Sequence, residues 1–157
     1  MVTYRNGDLL ESCCVIIAHQ VNLNGIMGGG LALQIARKYP HCEAQYKERS
    51  KNPITLGEVF YCNEGDTIIA NCFTQDIFYN TNYSAVEKAF KKLRAKAEEM
   101  GGVNIGIPYG YGCGIANGDW AVVEEIIVKV FRNTRVECQI WKFKENENET
   151  LDKKCRP

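Results

Sequence analysis

Residues 19–32 read His-Gln-Val-Asn-Leu-Asn-Gly-Ile-Met-Gly-Gly-Gly-Leu-Ala, a small and polar run that leads from an apolar segment into an amphipathic one. Gly28, Gly29 and Gly30 lack Cβ atoms, so the backbone there can take positive φ and approach a ligand closely. The helix expected to follow aims its free N–H groups and positive dipole end the same way, which makes the turn a candidate anion site. His19, Asn22 and Asn24 just upstream suit a sugar beside that anion. Residues 109–118, Tyr-Gly-Tyr-Gly-Cys-Gly-Ile-Ala-Asn-Gly, form a second glycine-rich stretch ahead of another helical pattern. Neither stretch contains G-x-x-x-x-G-K-[ST], and neither fits the dinucleotide fingerprint of G-x-G-x-x-G after the first strand, so both readings drop out.

The elements that must position these loops follow from periodicity. Strand-like apolar runs occur at residues 2–4, 14–18, 59–62, 67–73, 103–107 and 137–143, separated by segments of helical period, which implies an α/β layer fold. After the glycines, Leu31, Ala32, Ile35 and Ala36 share one helix face while Gln34, Arg37 and Lys38 share the other, and Pro40 stops the helix. A short helix is expected over residues 43–49. Ser84-Ala85-Val86-Glu87 has the pattern of a capping box opening a helix to Glu99, with Val86, Phe90, Leu93 and Ala97 inward. Asp119 reads as the cap of a last helix that buries Trp120, Val123, Ile127, Val130 and Phe131. Both glycine loops then lie at carboxyl ends of strands, the usual ligand address in an open α/β sheet.

Composition bounds the partners. With 157 residues, 45% hydrophobic and 24% charged, the chain fits one soluble domain over residues 1–143, and the Lys- and Glu-rich residues 144–157 read as a polar tail. Lys+Arg and Asp+Glu both number 19, so there is no electrostatic case for bulk nucleic-acid or membrane-surface binding. No leader-like or membrane-length apolar run is present, and a cytoplasmic monomer is expected. The eight cysteines include no C-x-x-C pair, and Cys13, Cys14, Cys62, Cys72 and Cys138 lie in or beside apolar runs. They read as reduced thiols acting as small hydrophobes, and with only His19 and His41 besides, no metal is expected.

Taken jointly and in order, Gly7-Asp8-Leu9, residues 19–32, and Ile107-Pro108 followed by residues 112–120 resemble the macro domain, the ADP-ribose-binding α/β family, over nearly the whole chain. His19, Asn22, Asn24-Gly25, the triplet, Ala32, Gln34, Tyr39-Pro40 and Phe73-Thr74-Gln75-Asp76 are most similar to the branch that processes ADP-ribose 1″-phosphate. The resemblance implies a three-layer α/β/α fold around a mixed sheet of about six strands. It implies ADP-ribose or a derivative as ligand, with no cofactor. Asp8 would accept from the adenine amine and Leu9 would offer its amide. Asn22 would face the distal ribose, and Gly28, Gly29, Gly30 and Leu31 would wrap that ribose and the α-phosphate, with Gln75 nearby. Gly112, Cys113, Gly114, Ile115 and Ala116 would turn amides to the diphosphate. Tyr109, Tyr111 and Phe78 would either stack on base or ribose or pack against the protein.

Members that cleave ADP-ribose from glutamate use a lysine and an aspartate where this chain has Gln75-Asp76 and Ala116, which disfavours that reaction. The more widespread hydrolases carry asparagine at the place of His19. Phosphomonoester hydrolysis needs a positioned water, donors for the phosphoryl charge and a proton for the leaving oxygen. His19, whose ordinary pKa lies near working pH, could orient water or protonate the leaving group, and Asp76 could act as base. The plainer readings are a hydrogen-bonded structural histidine at a strand end and a solvated loop acid. Three functions follow: a hydrolase of ADP-ribose 1″-phosphate or a related ADP-ribosyl linkage, a non-catalytic ADP-ribose reader, and a scavenger of an NAD-derived signal.

Overall fold

A computed structural model of the chain describes residues 1–143; the expected polar tail, 144–157, lies outside the described residues. The strands are β1 (Val2–Asn6), β2 (Ile16–Val21), β3 (Val59–Glu64), β4 (Thr67–Phe73), β5 (Ile105–Pro108) and β6 (Cys138–Lys142). The helices are α1 (Gly30–Lys38), α2 (Pro40–Arg49), α3 (Tyr83–Glu99) and α4 (Trp120–Val130), with a single 3-10 turn at Leu9–Glu11. The strands form one sheet in the order β1-β6-β5-β2-β4-β3, parallel throughout except for the antiparallel edge strand β3. The chain leaves β2 toward β3 and leaves β5 toward β6, so these neighbouring strands form the topological switch point of the sheet.

The period of two along β2 sorts its side chains between two helical layers. Ile16 and Ala18 join Ile105, Ile107, Cys138 and Ile140 beneath α3 and α4, packed by Val86, Phe90, Leu93, Val123 and Ile127. Ile17 and Val21 face the other layer, where α1 and α2 contribute Ile35, Ala36, Cys42 and Tyr46. The result is the expected three-layer α/β/α fold with a mixed six-stranded sheet. Gly106 lets the layers close near the 3-10 turn: a Cβ there would stand 2.5 Å from Leu9 Cδ1 and 2.9 Å from Cys14 Sγ.

Several local expectations shift. β2 runs on to Val21, which puts His19 inside the strand rather than at its end. Pro40 ends α1 but also opens α2 as its first residue, where its missing N–H costs nothing. The cap of α3 is Asn82, whose side chain accepts from the Ala85 amide at 2.9 Å, so the Ser84 capping box does not form. Asp119 caps α4 by accepting from the Ala121 amide at 2.9 Å, as expected, and Trp120 is only half-buried. Cys14, Cys42, Cys62, Cys72 and Cys138 are buried free thiols. Cys13 departs from that reading, because it is disulfide-bonded; half-buried, it is not sealed into the core as the others are. No helix among the described residues is long and apolar enough to cross a membrane.

Candidate functional site

At the carboxyl ends of β2 and β5 the two glycine loops face each other across a cleft of about 800 Å³, within the size range of small-molecule sites. Its lining brings together His19, Asn22, Gly28, Gly29, Gly30, Leu31, Gln75, Gly112, Gly114, Ile115 and Ala116. The loops approach closely: Ile115, 81% exposed, brings its Cδ1 to 3.6 Å from where a Cβ on Gly29 would stand.

The first loop is shaped from within by Asn22. Its Oδ1 accepts from the Asn24 amide at 2.9 Å and its Nδ2 donates to the Ile26 carbonyl at 2.8 Å. From α2, the Tyr46 hydroxyl stands 2.6 Å from the Asn22 carbonyl oxygen and 2.8 Å from Oδ1. Burial pushes that hydroxyl up to about 12, so it stays protonated and donates. Asn22 thus spends most of its side chain on the loop and leaves one Nδ2 proton without a protein partner among the described residues. Of the triplet only Gly30 has positive φ, at +55°, while Gly29 is extended and caps α1 without a side chain. Among the described residues, the amides of Gly28, Gly29, Gly30, Leu31 and Ala32 have no protein partner. Together with the α1 dipole they form an anion-seeking surface.

The second loop hangs from β2 and the segment before α3. Gln20 Nε2 donates to Thr81 Oγ1 at 3.2 Å, and Thr81 Oγ1 donates to the Gly112 carbonyl at 2.6 Å. Gly112 has φ +73°, and a Cβ on it would stand 2.8 Å from Thr81 Oγ1. A Cβ on Gly118 would collide with the Gly112 carbonyl oxygen. Gly114, Ile115 and Ala116 keep unpartnered amides among the described residues, whereas the Cys113 amide is bonded to the Gly110 carbonyl at 2.9 Å. The expectation that Cys113 turns its amide to a ligand therefore does not fit the loop's own turn.

Of the other expected residues, Asp8, Leu9, Asp76 and Phe78 stand outside the lining, and Tyr109 and Tyr111 are within it. Asp8 Oδ1 accepts from the Leu10 amide at 2.9 Å and caps the 3-10 turn, and Leu9 is buried in the core. Asp76 neighbours the lining residue Gln75, and its Oδ1 accepts from the amides of Phe78 at 2.8 Å and Asn80 at 2.9 Å. That turn carries Tyr79 at φ +64°, with Gln75 Nε2 donating to the Tyr79 carbonyl at 2.9 Å. Tyr111 is no stacking platform: its ring packs edge-on against Phe90 and its hydroxyl pairs with Thr74 Oγ1 at 2.5 Å. Tyr109 lines the cleft, half-exposed, with its ring 4.6 Å from that of Trp120, and Phe78 is largely exposed. His41 is exposed, its Nδ1 3.6 Å from a Glu64 carboxylate oxygen.

His19 is 1% exposed, and its Nε2 stands 2.7 Å from Asn71 Oδ1 on β4. Burial pulls its pKa down to about 4, with the Asn71 contact working weakly the other way, so the ring is neutral at physiological pH. The cleft thus carries no ionised side chain in its lining. Among the described residues no group of three or more His, Cys, Asp or Glu could hold a metal ion. Sequence reasoning missed Asn71, Tyr46, Gln20 and Thr81; only Asn71, a lone polar residue inside an otherwise apolar strand, left a signal.

No family model matches the chain. A DNA ADP-ribosyl glycohydrolase of Mycobacterium tuberculosis is 29% identical over 84% of this chain and 39% of its own length. The chain spans about two fifths of the length of such relatives. An ADP-ribose 1″-phosphate phosphatase of Lodderomyces elongisporus is 32% identical over 63% of this chain and 68% of its own length. Among solved structures, the macrodomain of Mycobacterium tuberculosis DarG superposes with a TM-score of 0.82 at 28% identity, over 90% of this chain and 97% of that one. The sheet order, the paired glycine loops at the switch point and these likenesses agree on one family, and the chain belongs to it: the macro domain family.

Proposed function

We propose that the cleft binds ADP-ribose and that the chain is a hydrolase removing the 1″-phosphate from ADP-ribose 1″-phosphate. One observation carries the binding part: two facing runs of unpartnered amides, Gly28 to Ala32 and Gly114 to Ala116, in a cleft without ionised side chains. Such a surface offers a diphosphate several N–H donors and a helix dipole. The ribose would then take the Asn22 Nδ2 proton and the base would run toward Tyr109. The hydrolytic part draws support from the named activities of the relatives, both directed at ADP-ribose linkages. The phosphoryl charge that develops during hydrolysis meets the same preorganised amides. Asp76 Oδ1 is engaged in its turn, which leaves Oδ2 to hold a water.

The test is inorganic phosphate release from ADP-ribose 1″-phosphate, alongside calorimetry with ADP-ribose. Asp76→Asn retains the Oδ1 acceptor that holds the turn but removes the charge. It should slow release by about 10²-fold or more with ADP-ribose affinity unchanged. Equal rates would remove Asp76 from the chemistry. The uncharged lining favours a second reading, a reader without turnover, and tight binding with no release by the wild type would replace the hydrolase with it.

A further inference from the structure

We propose that Asn71 is a positioning residue that fixes His19 as the Nε2–H tautomer, so that Nδ1 offers a lone pair to a hydroxyl donor, either water or a ribose hydroxyl, in the cleft. The proposal deepens the hydrolase reading and rests on it for its catalytic consequence. His19 and Asn71 are register partners on β2 and β4, both buried. The Asn71 amide is oriented from its far side: Nδ2 donates to the Phe60 carbonyl on β3 at 3.0 Å, and lies 3.4 Å from Cys62 Sγ and 3.6 Å from Cys42 Sγ. Turning the amide over would set Oδ1 against the Phe60 carbonyl oxygen, two acceptors at hydrogen-bond distance. Oδ1 therefore faces His19, 2.7 Å from Nε2 and 4.0 Å from Cys42 Sγ, and at the shorter distance Nε2 must carry the proton, since two acceptors would repel.

A neutral imidazole has one N–H, so Nδ1 is the acceptor. Nδ1 is buried with no partner in the protein. An acceptor left so is costly unless something donates to it, and because His19 belongs to the cleft lining, a water or a ligand hydroxyl entering from that side would be the donor. The titratable neighbours of the pair are the thiols of Cys42 on α2 and Cys62 on β3, with Glu64 acting on both thiols at longer range. The consequence for the chemistry is a sign: His19 accepts a hydrogen bond from the attacking water and does not donate a proton to the leaving oxygen.

Nitrogen-15 spectra of the His19 ring in the full chain at neutral pH test the assignment directly. The expected pattern is a protonated Nε2 and an unprotonated Nδ1 whose resonance shifts when ADP-ribose is added. A protonated Nδ1 would overturn the proposal whatever the activity. Asn71→Ala should mix the tautomers and lower kcat for phosphate release on the order of 10²-fold with KM little changed. Should that variant fold poorly, the ring spectra of the wild type still decide the tautomer, since they need no substitution. Failure of the wild type to release phosphate would sink the hydrolase reading alone, since the tautomer is read without turnover.

Discussion

Acid should destabilise this protein in part through His19, and the size of that part follows from the burial of the ring. His19 titrates near 6.5 when unfolded and at about 4 in the fold. Between those values the unfolded chain takes up a proton that the native state refuses, so unfolding is favoured as pH falls. Stability contributed by the neutral ring is complete above about pH 6.5, declines toward pH 4 and is lost below. At about 1.4 kcal/mol per pH unit, the difference corresponds to roughly 3 kcal/mol. Glu87, Glu98 and Glu137 have carboxyls held below their ordinary range by partners including Lys129, Arg94 and Thr3, and they too lose stabilising charge in acid. Their contribution must be subtracted. Urea unfolding followed by tryptophan fluorescence, in parallel for the wild type and His19→Asn from pH 7 to pH 4, performs the subtraction, because the variant keeps every carboxylate. The wild type should lose roughly 3 kcal/mol more than the variant across that window. Parallel stability curves for the two proteins would refute the reasoning and mean that His19 is hydrated or charged in the fold.

Gly112→Ala would force a Cβ into a φ of +73° and to 2.8 Å from Thr81 Oγ1, at a cost of about 1–3 kcal/mol, read as a melting temperature roughly 3–9 °C lower. Tyr46→Phe removes the hydroxyl that holds Asn22 at 2.6 and 2.8 Å, and chemical denaturation should show a loss of about 1–2 kcal/mol with weakened ADP-ribose binding. Ile115→Ala should leave the melting temperature unchanged, since the side chain is 81% exposed, yet weaken ADP-ribose about 5-fold by calorimetry through lost apolar cover beside Gly29.

Much of the architecture is legible along the chain because burial writes itself as periodicity. Residues 67–73 form β4 as read, the stripe Val86, Phe90, Leu93 and Ala97 is fully buried, and Asp119 caps α4. The two glycine loops are equally plain, since close approach and positive φ leave few other residue types. Roles that depend on a neighbour from another element are less legible. His19 reads as a strand-end residue because a polar side chain breaks an apolar run, but the strand continues through it once Asn71 supplies a partner. Asp76 reads as a free acid until its turn folds back and two amides claim Oδ1. Ser84 and Asn82 both suit a helix cap, and only the path of the preceding chain selects Asn82.

The layers, the two loops and the absence of charge bias are already written along the chain. Those depend on residue type and short-range spacing, which every conformation of the chain shares. Folding alone settles which amides stay unpartnered among the described residues, which nitrogen of His19 faces Asn71 and which side chains line the cleft. Hydrogen-bond partners 50 or more residues apart, such as His19 and Asn71, meet only when β2 and β4 lie side by side.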